Sequence, residues 1–186
     1  LLYFPTANNF AGVTIFSVTV NTSSSKSTIF WYKSLTPSRV FLVVNFLALG
    51  IGTLLMENGP QKEWYISLDK APWTPLGWVF GAAWTTIMLL FSFYMTKLSF
   101  EYKFLDKKLL LLFIAQWILN VSWNYFFFNQ QLTVVGLVSI TLLWFLIGYF
   151  TFEYLKKLRV FTLLILPYLI WMTIATSLNA YIVFYN

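Results

Sequence analysis

The sequence predicts an all-α fold, a polytopic membrane protein built as a bundle of five transmembrane helices. Three observations lead there. Hydrophobic residues make up 59% of the 186-residue chain and charged residues only 10%, with a mean hydropathy of +0.73, whereas a soluble domain carries roughly 25% charged residues. The apolar residues gather into five runs, each near the ~20 residues that cross a bilayer as a helix. The net charge of +6 is spread over the connectors between those runs, so it reads as a topology signal and not as a nucleic-acid patch. The chain has no Cys and no His. That excludes disulfides, thiol and imidazole catalysis, and most zinc or haem ligation, so no metal site is expected.

Residues 1–37 lie before the first span. Leu1 to Val20 is apolar but broken by Pro5, Asn8, Asn9 and Gly12, and Asn21 to Thr28 is rich in Ser and Thr. No acidic residue precedes Glu57, a weakly transit-peptide-like composition. The plainer reading is an N-terminal extension that is disordered or lies on the membrane surface. Asn21-Thr22-Ser23 fits a glycosylation sequon, a three-residue signal of low specificity.

The first span covers about residues 39–56, apolar except for Asn45, and Glu57 to Pro60 stop it. A loop of about residues 57–75 follows. Around its end, Trp64 to Trp84 holds four Trp, two Pro and two Gly. Pro72 and Pro75 bias the residues before them away from helix, and Pro75 suits a helix start. This aromatic loop, with Tyr65 and Trp73, reads either as a lid on a cavity or as an aromatic belt at the bilayer surface. The second span, about 76–98, carries Trp84. Gly77 and Gly81 share one face there, a surface on which another helix could pack closely. Packing within the bundle is the expected use, and a homodimer contact is the other.

The third span, about 109–128, places Gln116, Asn120, Trp123, Asn124 and Phe127 on one stripe by helical spacing. Amides are costly in hydrocarbon unless satisfied, so the stripe should face inward. Interhelical hydrogen bonding and a polar cavity wall explain it equally well. The fourth span covers about 132–154 and the fifth about 161–184. Pro167 lies inside the fifth, where it would free the Leu163 carbonyl and kink the helix. Trp171, Ala175, Leu178 and Asn179 follow on one face. Trp84 and Trp171 are expected at matching depth, which reads either as two rings facing each other across one cavity or as two side chains filling the bundle core.

Five spans put the two ends of the chain on opposite sides. The N-terminal side collects ten Lys and Arg, and the other side only Lys62 and Lys70. By the positive-inside rule the N-terminus is cytoplasmic if the membrane is a bacterial inner membrane, with the Trp-rich loop outside.

The segments WYISLDKAPWTPLGWVFGAAWT, QWILNVSW and PYLIWMTIATSLNAYIVFYN, in this order and spacing, resemble the translocator protein (TspO/MBR) family: the tryptophan-rich sensory proteins of bacteria and the peripheral benzodiazepine receptors of mitochondria. The resemblance covers about residues 40–186. Leu76 departs from it, since the family usually repeats Pro there. The resemblance implies a five-helix bundle whose cavity opens toward the long first loop, which acts as its lid. It implies binding of porphyrin or haem as ligand rather than as a required cofactor. Trp84 and Trp171 match the tryptophans credited with holding porphyrin and degrading it in light. Tyr65, Gln116, Asn120 and Ala175 match cavity-lining positions, and Trp73 and Trp123 join them as ligand-binding candidates. The membrane implied is the inner membrane in a bacterium, or a mitochondrial or other organellar membrane in a eukaryote.

The sterol motif of the animal members needs a basic residue after a Tyr. This chain ends YIVFYN, so sterol binding is not expected. Leu98, Tyr102 and Lys107 satisfy the loose pattern in a connector. Three functions stay open: a tetrapyrrole-binding protein in a sensing or stress-regulation role, a light-dependent porphyrin-degrading enzyme, and a transporter of tetrapyrroles or lipids. No charge lies deep in any span, which argues against ion coupling.

Overall fold

A computed structural model describes residues 22–102 and 106–186, with backbone alone for 22–36. The sequon at Asn21, the apolar segment before it and Lys103 lie outside the described residues. Every regular element among those residues is helical, and five helices are long and apolar enough to cross a membrane.

The first helix, α1 (Thr22–Leu55), has Pro37 inside it. The stretch long and apolar enough to span is Pro37–Gln61. The helix ends where Glu57 and Asn58 take positive φ, 48° and 58°, a conformation that reverses the chain. A short helix, α2 (Glu63–Ser67), lies in the loop that follows. The second span is α3 (Gly77–Glu101). The third, α4 (Lys107–Asn124), is capped by Asp106, whose Oδ1 accepts the Leu109 N–H at 3.0 Å. It widens into a π-helical turn at Tyr125–Asn129. The fourth span is α5 (Thr133–Glu153), followed by the single turn α6 (Leu155–Leu158).

The fifth span corrects the expected kink. A 3₁₀ segment occupies Arg159–Leu164, and α7 (Leu166–Tyr185) begins only at Leu166. Pro167 stands in the first turn of α7, where its missing N–H would have had no helical partner anyway. No helix interior is broken there.

The spans close as a ring in the order α3–α1–α4–α5–α7. Contacts are extensive around the ring and thinnest at the closing seam between α3 and α7. Phe91, Tyr94, Phe150 and Tyr168, all buried, fill the centre. The Tyr94 hydroxyl donates to the Phe150 carbonyl at 2.7 Å. Asn45, fully buried on α1, donates from Nδ2 to Ser92 Oγ on α3 at 2.8 Å. Each such bond is worth ~0.6 kcal/mol on average inside a bilayer. Leu98, part of the loose sterol pattern, is fully buried, and Tyr102 packs on Tyr154 at 5.2 Å. That pattern therefore presents no continuous surface.

The glycines divide into two kinds. A Cβ on Gly59 would stand 2.4 Å from Phe128 Cβ, and one on Gly52 2.8 Å from Asn124 Nδ2. Gly77 and Gly81 have nothing within 4 Å of a Cβ. This corrects the expected close helix packing on those two residues, because the space beside them is open.

Two predictions follow from this geometry. Gly59→Ala should destabilise the protein by ~1–3 kcal/mol through overpacking, lowering Tm by several degrees at ~2–4 °C per kcal/mol. Gly77→Ala should leave Tm unchanged or slightly raised, and equal Tm values for the two variants would refute the contact. Cysteines placed at Gln61 and at Lys107, in a chain with no other Cys, should label from opposite faces of the membrane. Labelling from one face would disprove the five-span topology.

Candidate functional site

The loop between α1 and α3 is folded over the bundle and tied to α7. Asn186 grips it as one peptide unit grips another: its Oδ1 accepts the Asp69 N–H at 2.8 Å and its Nδ2 donates to the Asp69 carbonyl at 3.1 Å. Four residues on, Trp73 Nε1 donates to Ser177 Oγ at 3.1 Å and its ring meets Tyr181 edge-on at 5.7 Å. A tight turn carries the chain between these ties. Both the N–H and the hydroxyl of Thr74 donate to the Ala71 carbonyl, at 2.9 and 2.7 Å. Trp73 is half-exposed and lies outside the cavity lining, so its place is in the fastening of the loop.

Beneath the loop is a cavity of about 430 Å³. Its roof comes from Pro60, Tyr65, Lys70, Thr74 and Pro75. Ala48, Leu49 and Thr53 of α1, with Met56 just beyond its end, form one wall, and Gly77, Phe80, Gly81 and Trp84 of α3 the next. Asn120, Trp123 and Asn124 of α4, with Phe128, close the third. The small residues Ala48, Gly77 and Gly81 explain the opening, since larger side chains there would fill it.

Tyr65 reaches the cavity from α2 and packs on Phe128 at 5.2 Å and Phe127 at 6.3 Å. Burial pushes its phenol up from the ordinary value, so it stays neutral through the physiological range. The Lys70 ammonium sits 4.9 Å from the Tyr65 ring centroid and donates to the Ile66 carbonyl at 3.0 Å. It is a cation on the cavity roof, held by an aromatic face.

A narrow recess of about 30 Å³ continues from the cavity toward α7. Phe80, Trp84 and Trp123 line both spaces. Of these two spaces, Trp171, Ala175 and Asn179 line the recess and not the main cavity. Trp84 and Trp171 therefore meet at the recess and not across the main cavity. Phe80 stands edge-on to Trp171 at 5.3 Å, between that ring and the larger space. The Trp171 indole is 6% exposed, and its Nε1 is buried with no acceptor among the described residues. Trp123 Nε1, by contrast, donates to Asn179 Oδ1 at 3.1 Å and its ring stacks on Phe127.

The amide stripe of α4 faces inward and divides its roles. Gln116 Nε2 donates to the Tyr168 hydroxyl at 2.9 Å, and Asn120 Nδ2 to the same oxygen at 3.2 Å. Asn120 also borders the cavity, while Gln116 is 1% exposed and does not. Gln116 thus binds helices together, and Asn120 does so while contributing a polar edge to the cavity.

Three features escape a reading of the sequence. Phe80 could have been found, since it lies one helical turn before Trp84 on the same face. Gly81 as open space could not, because a small residue fits close helix packing and open space alike. The π turn that buries Phe127 and Phe128 together has no local signature, although such turns gather at functional sites.

The sequence pattern of the TspO/MBR family matches residues 40–185. The tryptophan-rich protein TspO of Chlorobaculum tepidum is 31% identical over 135 residues, 72% of this chain and 85% of that protein. The tryptophan-rich sensory protein of Cereibacter sphaeroides is 30% identical over 117 residues, 63% of this chain and 73% of its own. The human translocator protein is 25% identical over 146 residues, 77% and 86% of the two chains.

The ties between loop and α7 carry a prediction. Net hydrogen bonds are worth ~0.5–1.5 kcal/mol each, so Asn186→Ala should raise the rate of protease cleavage at Lys62 or Lys70 by roughly tenfold, and Trp73→Phe by less. Cleavage at the parental rate in both variants would show that the loop is held by other means.

Proposed function

The chain belongs to the TspO/MBR family, and on that premise we propose that it binds porphyrins and other flat tetrapyrroles, haem included, in the cavity beneath the loop, in a sensing or stress-regulation role. The observation that carries this reading is the cavity of about 430 Å³ with indole and phenyl walls from Trp84, Trp123, Phe80 and Tyr65. Its volume falls within the ~300–1,000 Å³ of ligand pockets, which are mostly apolar with a few placed polar groups. Indole faces suit a flat conjugated ring. Lys70 on the roof offers a charge-assisted partner for a ligand carboxylate, and Asn120 and Asn124 offer amides lower down. Among the cavity's lining side chains, only Met56 and Tyr65 are of types that ligate haem iron, so contact with the macrocycle would dominate. The relatives' names speak of sensing and of translocation, and the first accords with a closed, loop-covered site. The membrane proposed is the inner membrane in a bacterial setting, from the distribution of basic residues.

A second reading, light-dependent porphyrin breakdown, is favoured by one observation. Trp84 and Trp171 border the same recess, and the Trp171 N–H has no acceptor. A ligand edge in that recess would touch both indoles, the side chains most able to exchange electrons with an excited ring.

One titration tests both readings. Protoporphyrin added in the dark should quench the tryptophan fluorescence saturably. Gly81→Leu, which narrows the cavity at a position with open space, should weaken binding by about tenfold, ~1.4 kcal/mol, with Tm unchanged. Quenching that does not saturate, or that Gly81→Leu leaves unaltered, would refute the site. Under illumination, Trp84→Phe and Trp171→Phe should keep binding and lose most porphyrin breakdown. Breakdown at the parental rate in both would remove the second reading and leave the first standing.

A further inference from the structure

A second opening lies on the outside of the bundle, at the seam where the ring closes. Between α3 and α7 runs a groove of about 430 Å³, open along one side. Its sides include Val79, Ala82, Ala83 and Thr86 of α3, facing Pro167 and Trp171 of α7. From Val79 to Thr86 it follows the helix for ~10 Å at 1.5 Å per residue. No charged residue lines it.

We propose that this groove binds one acyl chain of a bilayer phospholipid, and that Trp171 is the wall it shares with the interior recess. The groove opens between two of the five membrane-spanning helices, on the side where Ala82, Thr86 and Ile170 are exposed. It is therefore continuous with the hydrocarbon of the membrane. Left empty in that medium, its lining would forfeit dispersion contacts on one side. A chain laid along Ala82 and Ala83 restores them, because these small side chains let it approach the α3 backbone. The absence of charge argues for an esterified chain and against a free fatty acid, whose carboxylate would find no partner inside. The groove also begins two residues into α3, at Val79, close to the loop-side interface where a headgroup remains hydrated.

The arrangement gives Trp171 two faces. Inside, it borders the recess with Trp84 and Ala175, and outside it borders the groove. A chain in the groove braces the indole at the thinnest seam of the bundle. Nothing in this inference requires that the interior cavity bind a porphyrin, and its test uses none.

The double variant Ala82→Leu/Ala83→Leu fills the groove from its floor at an exposed and a half-buried position. Native mass spectrometry of protein extracted from phosphatidylcholine bilayers should show one retained phospholipid on the parent chain. On the double variant that population should fall by about tenfold. Equal retention on both overturns the proposal. So does a loss of lipid accompanied by a change from dimer to monomer, which would make the groove a contact between copies. A second measurement stands if the double variant does not fold. In bilayers of phosphatidylcholine brominated at mid-chain, the parent protein should lose more tryptophan fluorescence than Trp171→Phe. The same fractional quenching in both would mean that no chain reaches Trp171 and would overturn the proposal.

Discussion

Tyr168 is the joint on which the arrangement of the bundle depends. It is the third residue of α7 and is 1% exposed. Its hydroxyl accepts from Gln116 and Asn120 of α4, and its ring meets Phe91 at 5.4 Å and Trp84 at 6.2 Å on α3. One side chain thus ties three helices. In hydrocarbon no solvent competes for these amides, so the bonds persist by default once the helices meet. The rotation of α7 about its axis follows from them. With Tyr168 turned inward, Trp171 one turn later faces the recess, Ala175 another turn on lines it, and Asn179 reaches Trp123.

The cavity has a complementary cause. A bundle this rich in aromatic residues would close completely if every position carried a large side chain. It stays open where α1 and α3 carry Ala48, Gly77 and Gly81, and it is sealed above by a loop whose course is set elsewhere. Gly59 lets that loop pass against Phe128, and Asn186 and Trp73 hold it to the end of α7. The last span therefore serves the site twice. One face of it lines the recess, and its C-terminal half, at Ser177, Tyr181 and Asn186, carries the fastening of the roof. Polar groups are few in and around this space: an ammonium and the Tyr65 and Thr74 hydroxyls above, the Thr53 hydroxyl and two amides at the side, and one buried indole N–H without an acceptor among the described residues. On the proposed reading, that sparse set would orient a ligand and the flat ring faces would supply contact area.

The ring of helices is not equally tight. Side-chain hydrogen bonds tie α7 to α4 through Gln116, Asn120 and Trp123, and to α5 through Trp144 and Thr173, while the thin α3–α7 seam is bridged by aromatic rings and carries both the recess within and the groove without. Trp171 fills the wall between them. Interior and lipid-facing spaces are thereby separated by one side chain at the place where the bundle has least packing to resist movement.

Much of this was legible in the residues alone. Five apolar runs, basic residues gathered on one side of them and the absence of His and Cys determine a five-span helical chain without thiol or imidazole groups, because hydrocarbon admits only helices or closed barrels and tolerates few charges. Helical spacing likewise determined that Gln116, Asn120 and Trp123 face inward, as do Trp171, Ala175 and Asn179. What spacing cannot decide is the partner on the facing helix. Whether Gln116 meets a ligand or Tyr168, whether Gly81 touches a helix or open space, and whether Pro167 kinks a helix or begins one depend on where α7 starts and how it is rotated. Those are set by contacts between residues 48 to 117 positions apart, such as Asn120 with Tyr168 and Asp69 with Asn186. Only the folded bundle brings them together, since periodicity along one helix records which side is apolar and says nothing of what stands opposite.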